Sequence, residues 1–268
     1  MSNKIEGATL SIFLYWRRNM NEKRWSVLAE KDKLVASQLG KMSEDEKKDA
    51  FGGKLSFGTG GMRGILGAGP NRMNLYTVGR ASEGFAQYLV KAFKDVDDKK
   101  IAIAFDNRHF SKEFAQVTAN IMSRYGISSY VFDNPRPTPE LSFTVRDLNC
   151  IGGVVITASH NPREYNGFKV YDETGCQLVD HKIKPVIENI EAIEDETLVD
   201  IHTANETFIH VLSSEQDARY LDKVKSIQVQ PDLKKNIKII FSSQHGTSYP
   251  YLYDLLRIEG YDITYVEE

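Results

Sequence analysis

Between residues 78 and 156, short apolar runs alternate with stretches of helical periodicity, an order that few folds accommodate. Residues 101–105 form a continuous apolar run ending in Asp106-Asn107-Arg108, the pattern of a buried strand whose C-terminal end opens into a polar turn. Residues 128–132 and 153–156 repeat it. Helices are expected over residues 78–93, over 111–125 with Ser111 as cap and Gly126 as stop, and over 141–148 after the Pro-rich turn at 135–139. The alternation places the chain in the α/β class.

Upstream, residues 20–50 carry Trp25, Leu28, Leu34, Val35 and Leu39 at roughly helical spacing, which predicts an amphipathic pair of helices. The apolar run at 8–16 is far shorter than the ~20 residues that span a bilayer. It reads as the start of a helix or an extension ahead of the fold. Eight glycines then fall between Gly52 and Gly69, a density that predicts a loop, because glycine stabilises neither helix nor strand. Downstream, IAIAFDNRHF from Ile101 is echoed by IKIIFSSQHG from Ile237, each followed by a helical stretch, a glycine and an alternating run. Both read as strand-helix-strand modules, and one such pair leaves duplication and the general likeness of βαβ units equally open. The polar stretch at 188–230 reads as a connection between two units, 1–207 and 208–268, the second too short to close a core of its own.

A formal net charge of −3 supplies no basic field for nucleic acid and no polybasic patch for a membrane surface. The two cysteines, Cys150 and Cys176, fit neither a disulfide framework nor a metal site, and point to a reducing, cytoplasmic setting.

The chemistry concentrates in Val154-Val155-Ile156-Thr157-Ala158-Ser159-His160-Asn161-Pro162. Here a buried strand delivers a serine, flanked by a histidine and an amide, into a turn stiffened by proline. Such residues often do no more than satisfy turn backbone, and the surroundings lack the Gly-x-Ser-x-Gly of a hydrolase elbow. His109 and His245 read as turn histidines, Asp106 with Arg108 as a structural clamp, and no two histidines have metal-site spacing.

TASHNP followed by EYNGFKVY, with FGTGGMRG at 57–64 upstream, resembles the signature of the α-D-phosphohexomutases, the phosphoglucomutase and phosphomannomutase type, over about residues 51–268. The resemblance implies a three-layer α/β/α domain with a mixed sheet, followed by a truncated second domain of the same type. It implies that Ser159 carries a phosphoryl group between the 1- and 6-positions of a hexose phosphate through a sugar bisphosphate. It casts Lys169 as general base, Arg63 and His160 as catalytic cations, and Arg63, Thr59 and Asn161 as substrate contacts. Positive charge and donors around three phosphate oxygens are what a serine needs in that role. The resemblance also implies Mg²⁺ held through the Ser159 phosphate and an Asp-x-Asp-x-Asp loop.

That loop does not occur in this sequence, nor does the later sugar-reading loop. The remainder of a mutase chain is therefore an expected partner, and the 268-residue chain is expected to have little mutase activity by itself. Pentose phosphates in place of hexose phosphates, a binding or regulatory fragment without activity, and a serine hydrolase are the competing readings.

Overall fold

The computed structural model describes residues 2–267, with side chains from residue 16 onward. Three helices open the chain, α1 (Ser2–Ala29), α2 (Lys33–Lys41) and α3 (Glu44–Gly52). Residues 20–50 thus hold the end of one long helix and two short ones, where a pair was expected. The polar starts are self-capping: Asp32 accepts from the Leu34 and Val35 amides, and Ser43 and Glu46 form a reciprocal capping box. The apolar run at 8–16 lies within α1, and its side chains before residue 16 fall outside the described residues. Trp25 is 1% exposed, meets Phe51 and Tyr76 edge-on, and donates from Nε1 to Glu196 Oε1 (3.0 Å). This stitches the helical N-terminus to the body of the domain.

The glycine-rich segment is not wholly a loop. It contains the hairpin β1 (Phe57–Gly58) and β2 (Gly61–Ile65). Glycine is tolerated there because of what lies alongside: a Cβ on Gly61, whose φ is +91°, would stand 2.2 Å from the Phe168 carbonyl oxygen. There follow α4 (Leu75–Ala92), β3 (Lys100–Phe105), α5 (Ser111–Arg124), β4 (Ser128–Phe132), α6 (Thr138–Asp147), β5 (Gly152–Ile156), β6 (Tyr165–Asp172) and α7 (Asp180–Ala192). The expected strands and helices are present, with one correction. Ser111 is the first residue of α5 rather than its cap; Phe110 occupies the cap in left-handed geometry (φ 63°), and Ser111 Oγ donates to Asp106 Oδ1 (2.8 Å).

The stretch expected to connect two units contributes to the first sheet. β7 (Ile209–Leu212) lies beyond residue 207 and pairs in parallel with β4, and α8 (Ser214–Ser226) follows it. The sheet is seven-stranded in the order β1-β2-β6-β5-β3-β4-β7. β3, β4, β5 and β7 run parallel, while β6 is antiparallel to β5 and to β2, so the sheet is mixed. Side chains alternate across it. Ile101, Ile103, Val154 and Ile156 pack against Phe85, Ile121 and Val186 of α4, α5 and α7, and Ala102, Ala104 and Val155 face Leu141 and Val145 of α6. This is the three-layer α/β/α arrangement. Beyond it, β8 (Lys238–Phe241), α9 (Tyr251–Ile258) and β9 (Asp262–Tyr265) form a small βαβ unit with its two strands parallel.

Candidate active site

β5 and β3 end side by side, Phe105 opposite Ile156, with the Asp106 amide donating to the Ile156 carbonyl (3.0 Å). Two turns are thereby brought together, 106–109 and 157–163. Thr157 and Ala158 remain buried, and the next residue, Ser159, emerges into solvent in left-handed geometry (φ 57°). A non-glycine residue rarely takes that conformation, so the surroundings must hold it there. Part of the hold is local: the Ser159 amide donates to Thr157 Oγ1 (3.0 Å).

Arg108 supplies the rest. Its guanidinium donates to four carbonyl oxygens of the serine turn, those of Ser159 (2.8 Å), Asn161 (2.6 Å), Pro162 (2.9 Å) and Tyr165 (3.0 Å). Asp106 fixes the arginine in turn, with Oδ2 3.3 Å from Nε and Oδ1 accepting from the Arg108 amide (3.0 Å). Asn166 continues the network, donating to Ser111 Oγ (2.9 Å) and to the His109 carbonyl (3.0 Å). Asp106 and Arg108 are thus scaffold, and the serine turn is clamped backbone atom by backbone atom. Ser159 Oγ is left at the surface, 3.2 Å from His160 Nδ1.

The β2–β6 pairing brings in two more of the residues singled out from the sequence. Arg63 stands opposite Gly167, and Lys169 opposite Val155, so Arg63 and Lys169 are diagonal neighbours on one face of the sheet. Gly167 permits the approach, since a Cβ there would sit 2.6 Å from the Thr157 carbonyl oxygen. Arg63 Nη1 donates to Asn161 Oδ1 (2.8 Å), which ties β2 to the serine turn. Burial, and after it the charge of Arg63, holds the Lys169 amine below the ordinary lysine value, while Asp106 pulls the other way. Thr59 is not drawn into this group; it lies exposed in the turn between β1 and β2.

In front of Ser159 is a cleft of about 690 Å³. Its fixed cations are Arg108 and Arg163, the imidazoles of His109, His160 and His245 also line it, and among the described lining residues Asp106 is the one carboxylate, already engaged by Arg108 and Ser111. His245 arrives from the turn after β8, where Asn107 Nδ2 donates to its carbonyl (2.5 Å). The two echoed histidines, read from sequence as turn residues, therefore both face the cleft. Arg163 and Asn107 were not singled out from sequence; Asn107 lies just after the end of β3, and Arg163 lies late in the serine turn, just ahead of β6. Such a cleft favours a ligand with concentrated negative charge.

A family model described as phosphoglucomutase/phosphomannomutase, alpha/beta/alpha domain I, matches residues 54–197, more than half of the chain and the segment that builds this site. The chain belongs to the phosphoglucomutase/phosphomannomutase family. Phosphoglucomutase from Staphylococcus saprophyticus is 37% identical over 257 residues, covering 94% of this chain and 44% of the relative. The enzyme from Staphylococcus aureus MRSA252 is 36% identical over 240 residues, covering 89% and 43%. The chain thus spans less than half the length of these curated relatives. Among solved structures, a Thermus thermophilus protein assigned as a phosphomannomutase superposes with a TM-score of 0.68 at 24% identity, over 80% of this chain and 46% of that one. The Paramecium phosphoglucomutase parafusin, in an open form, superposes at 0.56 and 19% identity, over 79% and 44%. Identities this low bear on the fold alone, and the fold agrees.

A metal ion fits this chain poorly. Among the described residues no three His, Cys, Asp or Glu side chains are grouped to hold one, and Asp106, the one carboxylate among the described residues lining the cleft, is engaged with Arg108. Ser159 alone of the residues named for the metal is present, and only through a phosphate it would carry.

Proposed function

We propose that this chain is the phosphoryl-carrying part of a phosphohexomutase, with Ser159 as the carrier. The observation that carries the reading is Ser159 Oγ standing exposed beside His160 Nδ1 (3.2 Å), in a cleft lined by Arg108 and Arg163, on a turn that Arg108 holds through backbone carbonyls. Preorganisation of this kind is what phosphoryl transfer asks of a protein, because the chemistry is mostly positioning and charge stabilisation.

In the forward half-reaction a hydroxyl of a hexose monophosphate attacks the phosphorus on Ser159. Its proton passes to the Lys169 amine, whose pKa burial and the charge of Arg63 lower from the ordinary lysine value. The bond from phosphorus to Ser159 Oγ breaks, leaving a hexose 1,6-bisphosphate. In the return half-reaction Ser159 Oγ attacks the other phosphate of the bisphosphate. The released sugar oxygen takes the proton that Lys169 accepted in the forward half, and the product is the isomeric monophosphate. His160, Arg63 and Asn161 orient and neutralise the transferring group, with Thr59 reaching the sugar only if the β1–β2 turn closes over it. Mg²⁺ would supply further charge neutralisation in the longer protein, on ligands outside this chain; no step here is routed through it.

The substrates are accordingly hexose phosphate and bisphosphate, the setting is cytoplasmic in keeping with two unpaired cysteines, and the partner is the remainder of a mutase. Supplying ³²P-labelled hexose 1,6-bisphosphate and then unlabelled glucose 6-phosphate or ribose 5-phosphate tests the reading. Label should enter the chain and leave preferentially with the hexose. Exit to the pentose would make it a phosphopentomutase, and sustained glucose 1-phosphate turnover by the 268-residue chain would overturn the expectation that it is inactive alone.

A further inference from the structure

A second concave site shares no lining residue with the Ser159 cleft. It is a pocket of about 340 Å³ between α1, the segment leading into β1, α4 and α7. Arg17, Lys54 and Arg80 line it, and Glu191 is the one carboxylate among its described lining residues.

The cations are placed there at a cost. Arg80 is 7% exposed; its Nε donates to the Ile193 carbonyl (2.9 Å), and its Nη nitrogens have no partner among the described residues. Lys54 Nζ donates to the Glu194 carbonyl, one residue further on. These two bonds hold the chain just past the end of α7, and that accounts for one donor on each cation. Four N–H donors of the Arg80 guanidinium remain, with the pocket beside them. Burial holds both Lys54 and Arg80 below their ordinary pKa values, with Arg80 and Arg17 adding to it at Lys54, a smaller push from Arg17 at Arg80, and Glu191 pulling Arg80 back. Glu196 opposes this, but its Oε1 already accepts from Trp25, and nearby Arg24 is paired with Asp195 (3.0 Å). An anion in the pocket would relieve the mutual repulsion and use the idle donors.

We propose that this pocket binds a phosphate group, free or carried on a small metabolite, with Arg80 forming the bidentate contact and Lys54 and Arg17 closing over it. Guanidinium geometry matches phosphate, and the volume lies at the lower end of the range for small-molecule sites.

The protein's two tryptophans, Trp16 and Trp25, both lie on α1, beside Arg17 in the chain and against Glu196 respectively, so tryptophan emission reports on this pocket and not on the Ser159 cleft. The 268-residue chain is titrated with inorganic phosphate and with glucose 6-phosphate at ionic strength fixed with sodium chloride. A saturable change in emission is expected with both. Equal affinities identify inorganic phosphate as the ligand, and tighter binding of the sugar phosphate identifies a phosphorylated metabolite. Arg17→Gln combined with Lys54→Gln should weaken binding by about tenfold or more, while Ser159→Ala leaves it unchanged. Arg17 makes no hydrogen bond or ion pair among the described residues, so Arg17→Gln alone keeps the fold and should still weaken binding severalfold. Absence of a saturable change with either ligand, an unchanged affinity in Arg17→Gln, or loss of the signal in Ser159→Ala overturns the proposal.

Discussion

Arg108 shows how much of the site rests on one side chain that never touches a reacting atom. Replacing it with leucine removes four charge-assisted bonds to the serine turn and leaves their carbonyls to water. The exposed turn should then leave the conformation that presents Ser159, and phosphoryl uptake from a hexose bisphosphate should fall by about a hundredfold, the scale of a misplaced catalytic group. Arg108→Lys should rescue little, because an ammonium cannot bridge carbonyls on both edges of a fork. Rapid-quench measurement of uptake checks both variants. None of the four acceptors could be named from sequence: Asp106-Asn107-Arg108 announces a clamp, but its object lies about 50 residues later, across a strand pairing. Ser159, His160 and Lys169 could be singled out because they sit inside contiguous motifs, TASHNP and EYNGFKVY. Thr59 came with Arg63 from FGTGGMRG, and the structure leaves it apart at the hairpin turn.

At the scale of elements, strands buried on both faces announced themselves as unbroken apolar runs, and β3, β4 and β5 came out within a residue of expectation. Elements whose character depends on a partner did not. β2 reads as loop because the reason for Gly61 is the Phe168 carbonyl, and β7 reads as linker because an edge strand with exposed Val211 has no apolar run to show. Gly61→Ala should therefore destabilise the domain by about 2–3 kcal/mol or more, combining positive φ with a backbone collision, as read by urea unfolding. The α6–α8 junction carries a second test. Glu140 is fully buried on α6 with both carboxylate oxygens lacking a hydrogen-bond partner, beside Asp217 of α8, while Arg136 spans Asp217 (2.6 Å) and Asp133 (2.9 Å) between the rings of Phe132 and Tyr251. Burial, and then Asp217, raise the Glu140 carboxyl from 4.5 to about 8. Two carboxylates in contact are both acceptors, so the pair is satisfied only when one keeps its proton. The folded state thus retains a proton that the unfolded chain releases above pH 4.5. This contribution to stability is fully present below that pH and is lost as pH rises toward 8. Urea midpoints across pH 4.5–8 should fall, and Glu140→Gln should flatten the slope.

Across the whole molecule the two parts differ in how they are held. The α/β/α body has a continuous core on both faces of its sheet, tied to the N-terminal helices through Trp25 and Glu196. Among the described residues from 217 onward none is buried, and Val229, Ile237, Ile240 and Ile258 are each more than half exposed. The βαβ unit should accordingly exchange its amide hydrogens far faster than β3 or β5 and bind a hydrophobic dye, two readouts that local burial governs. Yet this weakly packed unit delivers His245 to the cleft, so stability and cleft completeness are separable properties of the chain. The central claim concerns Ser159 and is tested most directly by intact-mass analysis and peptide mapping after incubation with hexose 1,6-bisphosphate and Mg²⁺. A single phosphate located on Ser159, and lost in Ser159→Ala, is the predicted result; a phosphate on any other residue, or none at all, would contradict it.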